Sequence, residues 1–293
     1  MIVVTTPTGQ IGQHVVRGLI AAKVPLRVIV RDASKLSADV RRAVDVVEGS
    51  HGDGHVIDAA LVGAQGLFWV APTAPAKTME QIYVEFARPA VAAIKRNHVK
   101  RVVSVTALGR GTRWQEASGL VTASIEMDDL LMSAGASFRG LAMPSFMDNM
   151  LRQATSIRER GMFSGPIDPD LKLPTTAVGD LSSLAVRLLV DNGWSGQQEI
   201  PVIGPEDLSH NEMAAILSDV VGRQVHYQQV SFQQVKQQFL SRGASESFAE
   251  GYVDMFKAKN DGMDAAAAQN VLNRTATAFR NWCEGQLRAS VTV

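Results

Sequence analysis

An α/β fold, a doubly wound parallel sheet followed by a smaller, mainly helical C-terminal region, is predicted by three observations. The chain opens on an apolar run, Ile2-Val3-Val4-Thr5, that feeds into Thr6-Pro7-Thr8-Gly9-Gln10-Ile11-Gly12 and then an amphipathic stretch. Strand-like and helix-like segments then alternate as far as residue 145, the pattern of parallel strands joined by crossover helices. A second apolar run, 26–30, ends in Arg31, about twenty residues beyond the turn, where a doubly wound fold reads the ribose of an adenosine. Together they predict a Rossmann-like dinucleotide-binding core over 1–145, with 146–293 as a mixed substrate and C-terminal region, mainly helical, that sends segments back to the core.

The elements follow in order. Ile11, Val15, Leu19 and Ala22 recur at helical spacing, which predicts a helix over 11–22 whose first N–H groups sit just past the turn. Short apolar runs predict strands at 44–48, 66–71, 101–105 and 138–142, and the stretches between them predict helices at 56–61, 79–98 and 119–133. Past Pro144 the sequence predicts a helix at 146–160, a turn-rich stretch from Gly165 to Pro174, a helix at 180–191, and strands near 199–203 and 225–230 within an otherwise helical remainder. No internal repeat or low-complexity tract interrupts it.

Composition narrows the function. In 293 residues, 29 basic groups balance 29 acidic ones, which removes the usual electrostatic motive for binding nucleic acid or an anionic membrane. Cys283 is the single cysteine, so no intramolecular disulfide and no four-cysteine zinc site can form. The first strand begins at once, without a basic leader, and no apolar run reaches the roughly 18 residues of a spanning helix; the expectation is a cytoplasmic protein.

In an open parallel sheet, ligands sit above the carboxyl ends of the strands. The expected cofactor site is therefore the first turn with Thr6, Thr8, Gly9, Gln10, Ile11 and Gly12, together with Arg31 and Lys35 and the later strand ends Ala71, Pro72 and Thr106. Arg31 carries a planar donor fork that suits a 2′-phosphate, which favours NADP(H), and Lys35 adds a point charge one turn on. Asp32 keeps the NAD reading open, because a carboxylate there can accept from a ribose diol.

Catalytic signals are sparse. A tyrosine four residues before a lysine would supply a phenol of lowered pKa, but Tyr83, Tyr227 and Tyr252 are followed at that spacing by Ala87, Ser231 and Phe256. The six histidines are scattered, and His51 and His55 in their polar loop are expected to be solvent-exposed, so no metal site is expected. Ser104 reads as a core hydroxyl, since it lies inside an apolar strand without a G-x-S-x-G elbow. Thr106, at a strand end, is the candidate catalytic contact, and Phe146 and Asn149 are the candidate substrate-pocket residues, with core packing as the other reading of Phe146. Phe68 and Trp69 would join them if they faced the cleft.

Thr8-Gly9-Gln10-Ile11-Gly12, Val30-Arg31-Asp32-Ala33-Ser34-Lys35, Val46-Val47-Glu48-Gly49, Ala60-Leu61-Val62-Gly63-Ala64, Phe146-Met147-Asp148-Asn149 and Thr275-Ala276-Thr277-Ala278-Phe279 stand in an order that resembles the NmrA-like group of atypical short-chain dehydrogenase/reductases over nearly the whole chain. The resemblance implies an NADP(H)-preferring Rossmann-like domain closed by a small helical region, and a homodimer as one assembly the group adopts. It does not imply one activity: the leading expectation is reduction of a quinone or similar conjugated small molecule, and the alternatives are non-catalytic NADP(H) sensing that regulates a protein partner and a scaffold that no longer binds the dinucleotide. Five positions depart from the group's pattern. Thr6 replaces the first loop glycine, Ser50 an acidic residue, Ser124 a lysine or histidine, and Ala142-Met143 an Arg-Pro pair.

Overall fold

A computed structural model describes residues 1–291, so the last two residues of the 146–293 region lie outside it. The N-terminal part alternates β1 (Ile2–Val4), α1 (Gly12–Ala21), β2 (Leu26–Val30), α2 (Ala38–Ala43), β3 (Asp45–Glu48), α3 (Gly54–Leu61), β4 (Gly66–Trp69), α4 (Phe86–Arg96), β5 (Arg101–Ala107), α5 (Leu120–Met132) and β6 (Ser137–Met143). Then come β7 (Ser145–Phe146), α6 (Ala154–Arg160), β8 (Met162–Gly165), β9 (Leu173–Thr176), α7 (Val178–Val190), β10 (Gln197–Pro201), β11 (Asp207–Leu208), α8 (His210–Val221) and β12 (His226–Gln229). The helices α9 (Phe232–Ser241), α10 (Glu246–Asn260), α11 (Met263–Ala268), α12 (Phe279–Trp282) and α13 (Arg288–Val291) close the chain.

One parallel sheet, in the order β3-β2-β1-β4-β5-β6-β10, organises the molecule. Its inner strands β1 and β4 are apolar at successive positions because both faces are covered, whereas the edge strands β3 and β10 carry exposed polar residues. Ile2 and Val4 point to the layer of α1 and α7 with Val15, Leu19, Leu181 and Ala185. Val3 points the other way, to α3, α4 and α5 with Ile57, Leu61, Ile94 and Leu131. Phe68 and Trp69 fall one on each side, fully buried, so neither faces a cleft. A π-helical turn, Gln81–Glu85, leads into α4, where Pro89 has no N–H to give the Glu85 carbonyl.

Strands β1 to β6 and helices α1, α3, α4, α5 and α7 are the predicted ones, with ends shifted by a few residues, whereas α2 and the place of β10 in the sheet were not expected from the sequence. Past β6 the sequence expectation needs correction, for 146–160 is not one helix. Phe146 is extended (φ −74°, ψ 135°) and pairs with Thr176, and Met147–Gln153 is a 3₁₀ segment before α6. Tertiary pairing wins here: Asp148 Oδ2 accepts the Val178 N–H at 3.0 Å, capping α7 and tying down the chain that would otherwise continue as helix. The stretch read as turns is likewise flanked by β8, which pairs in parallel with β12, and by β9, which pairs with β7 and β11. These strands have two to four residues, too few to show a period in sequence. A separate apolar cluster, including Phe163, Leu217, Phe279 and Trp282, holds this part together.

Candidate active site

The first turn is built around one glycine and one strained threonine. Thr5 extends the β1–β4 pairing with its side chain: its hydroxyl donates to the Phe68 carbonyl (3.1 Å) and accepts from the Val70 N–H (3.0 Å). The chain then reverses at Thr6, whose φ of +48° puts a β-branched residue in the left-handed region, at a cost of about 1–3 kcal/mol. The Gly9 N–H donates back to the Thr6 carbonyl at 2.9 Å. A Cβ on Gly12 would lie 2.0 Å from that same carbonyl oxygen, so only glycine lets α1 start this close to the turn. Among the described residues, no intrachain hydrogen bond engages the N–H groups of Thr8, Gln10 or Ile11. They form, with the α1 dipole, a positive rim suited to a phosphate.

Next to the turn lies the C-terminal end of β2. Arg31 is exposed there, and Asp32 turns its carboxylate onto its own loop, accepting from the Ser34 N–H (2.9 Å) and hydroxyl (2.6 Å). Those bonds hold the Asp32 carboxyl below the usual range. Lys35 follows on the next turn, exposed and outside the cavity described below.

His51 is the residue that sequence reasoning placed wrongly. It is buried, not solvated, with edge-on rings at 5.0 Å (Trp69) and 4.6 Å (Phe86) and its Nε2 3.1 Å from the Val70 carbonyl. Gly52 permits this, because a Cβ there would meet the Phe86 ring at 2.4 Å. Burial pushes the His51 imidazole down to about 4, and Arg31 adds to the effect, so the ring is neutral near pH 7. His55, its partner in the polar loop, is exposed as expected.

These strand ends enclose a cavity of about 770 Å³ that runs from Arg31, Ser50 and His51, past Thr6, Thr8, Gly9, Gln10 and Ile11, to Ala71, Pro72 and Thr73, and ends at Phe146, Asn149 and Arg152. Gly12 lies beneath its floor. The structure thus brings Thr6, Thr8, Gly9, Gln10, Ile11, Arg31, Ala71, Pro72, Phe146 and Asn149 to one space, which His51, Lys77, Phe86 and Arg152 also line without a sequence signal of their own. Over it, the loop after β4 is tied to the C-terminal helices: the Ser245 N–H donates to the Pro75 carbonyl, its hydroxyl to the Lys77 carbonyl (both 2.8 Å), and the Met79 N–H to the Ser247 hydroxyl (3.2 Å).

The sequence profile of the NmrA-like family matches residues 1–280. This chain belongs to the NmrA-like family. It is 32% identical over 256 residues to an NAD(P)H azoreductase of Xenophilus azovorans, covering 87% of this chain and 86% of the relative. It is 25% identical over 257 residues to quinone oxidoreductase 2 of Escherichia coli, covering 87% and 85%. The solved NADPH-dependent quinone oxidoreductase of Escherichia coli, complexed with NADPH, superposes with a TM-score of 0.77 at 23% identity over 96% of this chain and 97% of that one, a likeness of fold.

In this NmrA-like protein Thr106, expected at the cavity, does not line it. Its side chain is buried, and its hydroxyl lies against the Ser124 carbonyl (3.2 Å) and hydroxyl (3.3 Å). The Ser124 hydroxyl donates to the Val121 carbonyl (3.0 Å) and accepts from the Ala107 N–H (3.2 Å), so it too is a clasp between α5 and β5. Two residues before Thr106, the Ser104 hydroxyl donates to the carboxyl of Asp128, which is fully buried and pushed up to about 8 by burial. Among the described residues no His, Cys, Asp or Glu cluster could hold a metal, and no helix is long and apolar enough to cross a membrane.

Proposed function

We propose that this protein is an NADP(H)-dependent reductase of a quinone or a similar conjugated small molecule. The observation that carries the cofactor reading is the pairing of Arg31 and Asp32. The guanidinium is free on the cavity, while the carboxylate that would accept from a ribose diol is spent on Ser34. Arg31 then grips the 2′-phosphate, with Lys35 strengthening the local field. The free N–H groups at Thr8, Gln10 and Ile11 and the hydroxyls of Thr6 and Thr8 hold the pyrophosphate. His51, flat and neutral beside Arg31, offers a face to the adenine, and Ala71 and Pro72 flank the middle of the dinucleotide.

The nicotinamide end then lies toward Phe146 and Asn149. NADPH, when bound, supplies a hydride. A quinone that accepts it together with one proton becomes a hydroquinone, and water at the open end of the cavity can provide that proton, so no tyrosine–lysine pair is needed. The residues of this chain bind and orient. The azoreductase and quinone reductase relatives support this reading over a non-catalytic sensor, since both are named for the reduction of a conjugated acceptor.

The test is a parallel titration of the purified protein with NADPH and NADH, with Arg31→Ala as control, followed by addition of quinones. NADPH affinity falling tenfold or more in the variant, with NADH unchanged, establishes the 2′-phosphate contact. NADPH oxidation on adding a quinone establishes the reductase; binding without turnover over a panel of quinones overturns it.

A further inference from the structure

His51 is buried and yet lines the cavity, and the fold accounts for only one of its two ring nitrogens. The Val70 carbonyl oxygen, 3.1 Å from Nε2, can only accept, so Nε2 carries the proton of that bond. A neutral imidazole has a single N–H, which leaves Nδ1 with a lone pair. Among the described residues no hydrogen bond engages Nδ1, and it is not sealed from water as the unpartnered Nδ1 of His210 is. Only 7% of the residue's surface stays exposed, and that remnant lies on the cavity wall, so Nδ1 opens there.

The ring is held from several sides. Trp69 and Phe86 meet it edge-on, and the imidazole cannot turn to bury Nδ1 without giving up the bond to Val70. The carboxylates nearby are committed or hydrated. Asp53, the nearest in sequence, accepts from the His55 and Val56 N–H groups (2.8 and 3.3 Å) as the cap of α3. Among the described residues Glu85 is the one carboxylate lining the cavity, and it is exposed to water on the π-helical turn. An acceptor that a filled cavity cuts off from water needs a donor on whatever fills it. Contact with the ring face takes any flat base, whereas the lone pair tells bases apart. Adenine presents an exocyclic amine as donor; a purine with a carbonyl in its place presents a second acceptor.

We infer that His51 selects the base of the dinucleotide: as the purine leans across the imidazole, Nδ1 accepts a hydrogen bond from the 6-amino group of adenine. The inference rests on the reading of the cavity as a dinucleotide site with the adenosine half at the Arg31 end, and it adds to that reading the choice of base. His51 is a specificity residue and takes no part in hydride transfer.

NADP⁺ and nicotinamide hypoxanthine dinucleotide phosphate, which carry an amino group and a carbonyl at the same place on the purine, test it. Each is titrated by calorimetry into the native protein and into His51→Phe, which keeps an aromatic ring and lacks the lone pair. The native protein is expected to bind NADP⁺ about tenfold more tightly or better, because the carbonyl analogue leaves Nδ1 stranded. In His51→Phe the two affinities are expected to come within about threefold of each other, chiefly through loss for NADP⁺. Equal affinities in the native protein overturn the inference without recourse to the variant. A preference that persists in His51→Phe also overturns it, whether or not both ligands weaken, since another acceptor such as Glu85 would then read the amine. Failure of the dinucleotide reading looks different: neither ligand binds the native protein, and the choice of base falls with it.

Discussion

The two halves of the parallel sheet treat their polar residues in opposite ways. On the β3-β2-β1-β4 side, Thr6, Thr8, Arg31 and Ser50 open onto the cavity, and the backbone itself is bent to expose N–H groups. On the β5-β6-β10 side, Ser104, Thr106, Ser124 and Asp128 are buried and bond within the fold, Ser104 to one Asp128 oxygen and Thr106 to Ser124, while Arg110 is clasped between Asp129 and Glu199. A polar residue at a strand end is thus a candidate ligand only if its hydrogen bonds are not already spent within the fold. The first half is organised for a ligand and the second for docking α5 on the sheet, and four substitutions test that division.

The largest effect belongs to Gly12. Its Cα lies under the Thr6 carbonyl, with a new Cβ 2.0 Å from the oxygen and 2.8 Å from the carbon, and the neighbours are backbone, which cannot swing aside. Gly12→Ala is expected to cost about 4 kcal/mol and to remove NADPH binding. Urea unfolding and dinucleotide titration of the variant check this. A stable variant that binds normally would show that the turn is softer than the contact implies.

Much of this half was legible beforehand because parallel strands bring their carboxyl ends together whatever the loops do. The glycine spacing at Gly9 and Gly12 and the position of Arg31 after the second apolar run therefore pointed to one place. The burial of His51 was not legible, since it depends on Phe86 arriving from another helix and on the room left by Gly52. Nor were Lys77, on the loop after β4 that the Ser245 hydroxyl holds, and Arg152, on the 3₁₀ segment that follows the pairing of Phe146 with Thr176. Thr106 shows the converse failure. Sequence gave its height along the strand, but the direction of its hydroxyl follows from the packing of α5.

Asp128 and His51 give the division a signature in pH, with opposite signs. The Asp128 carboxyl is pushed up to about 8 in the folded protein, above its unfolded value near 4. The stability it contributes is therefore complete below pH 4 and is lost as pH rises toward 8. Asp128→Asn stays neutral throughout, so the native protein is expected to fall by roughly 2–4 kcal/mol relative to this variant between pH 5 and pH 8. His51 runs the other way, because its folded value of about 4 lies below the unfolded 6.5. Its contribution is complete above pH 6.5 and is lost as pH falls toward 4, so the native protein is expected to lose about 1–2 kcal/mol relative to His51→Phe between pH 7 and pH 5. His210, also pushed down to about 4 by burial, is shared by the native protein and both variants and cancels in the differences. Thermal or urea unfolding across the range separates the two slopes, and a flat difference for either residue means that its side chain is hydrated in the fold.

Thr106→Val is the smallest effect and the sharpest test of the comparison. The substitution keeps the shape of the side chain and removes only the hydroxyl, which lies against the Ser124 carbonyl and hydroxyl at 3.2 and 3.3 Å, inside the α5 interface. Both distances are long for O–H···O, so the expected loss of stability is about 1 kcal/mol, at the lower end for a buried hydrogen-bonded hydroxyl. The Ser124 hydroxyl still donates to the Val121 carbonyl and accepts from the Ala107 N–H, so no partner is left stranded. Affinity for NADPH and kcat with a quinone are expected to stay within twofold of the native values, because nothing on the cavity changes. A large fall in kcat with stability intact would mean that the β5 end turns toward the nicotinamide when the cofactor binds, and the two halves of the sheet would then share the chemistry.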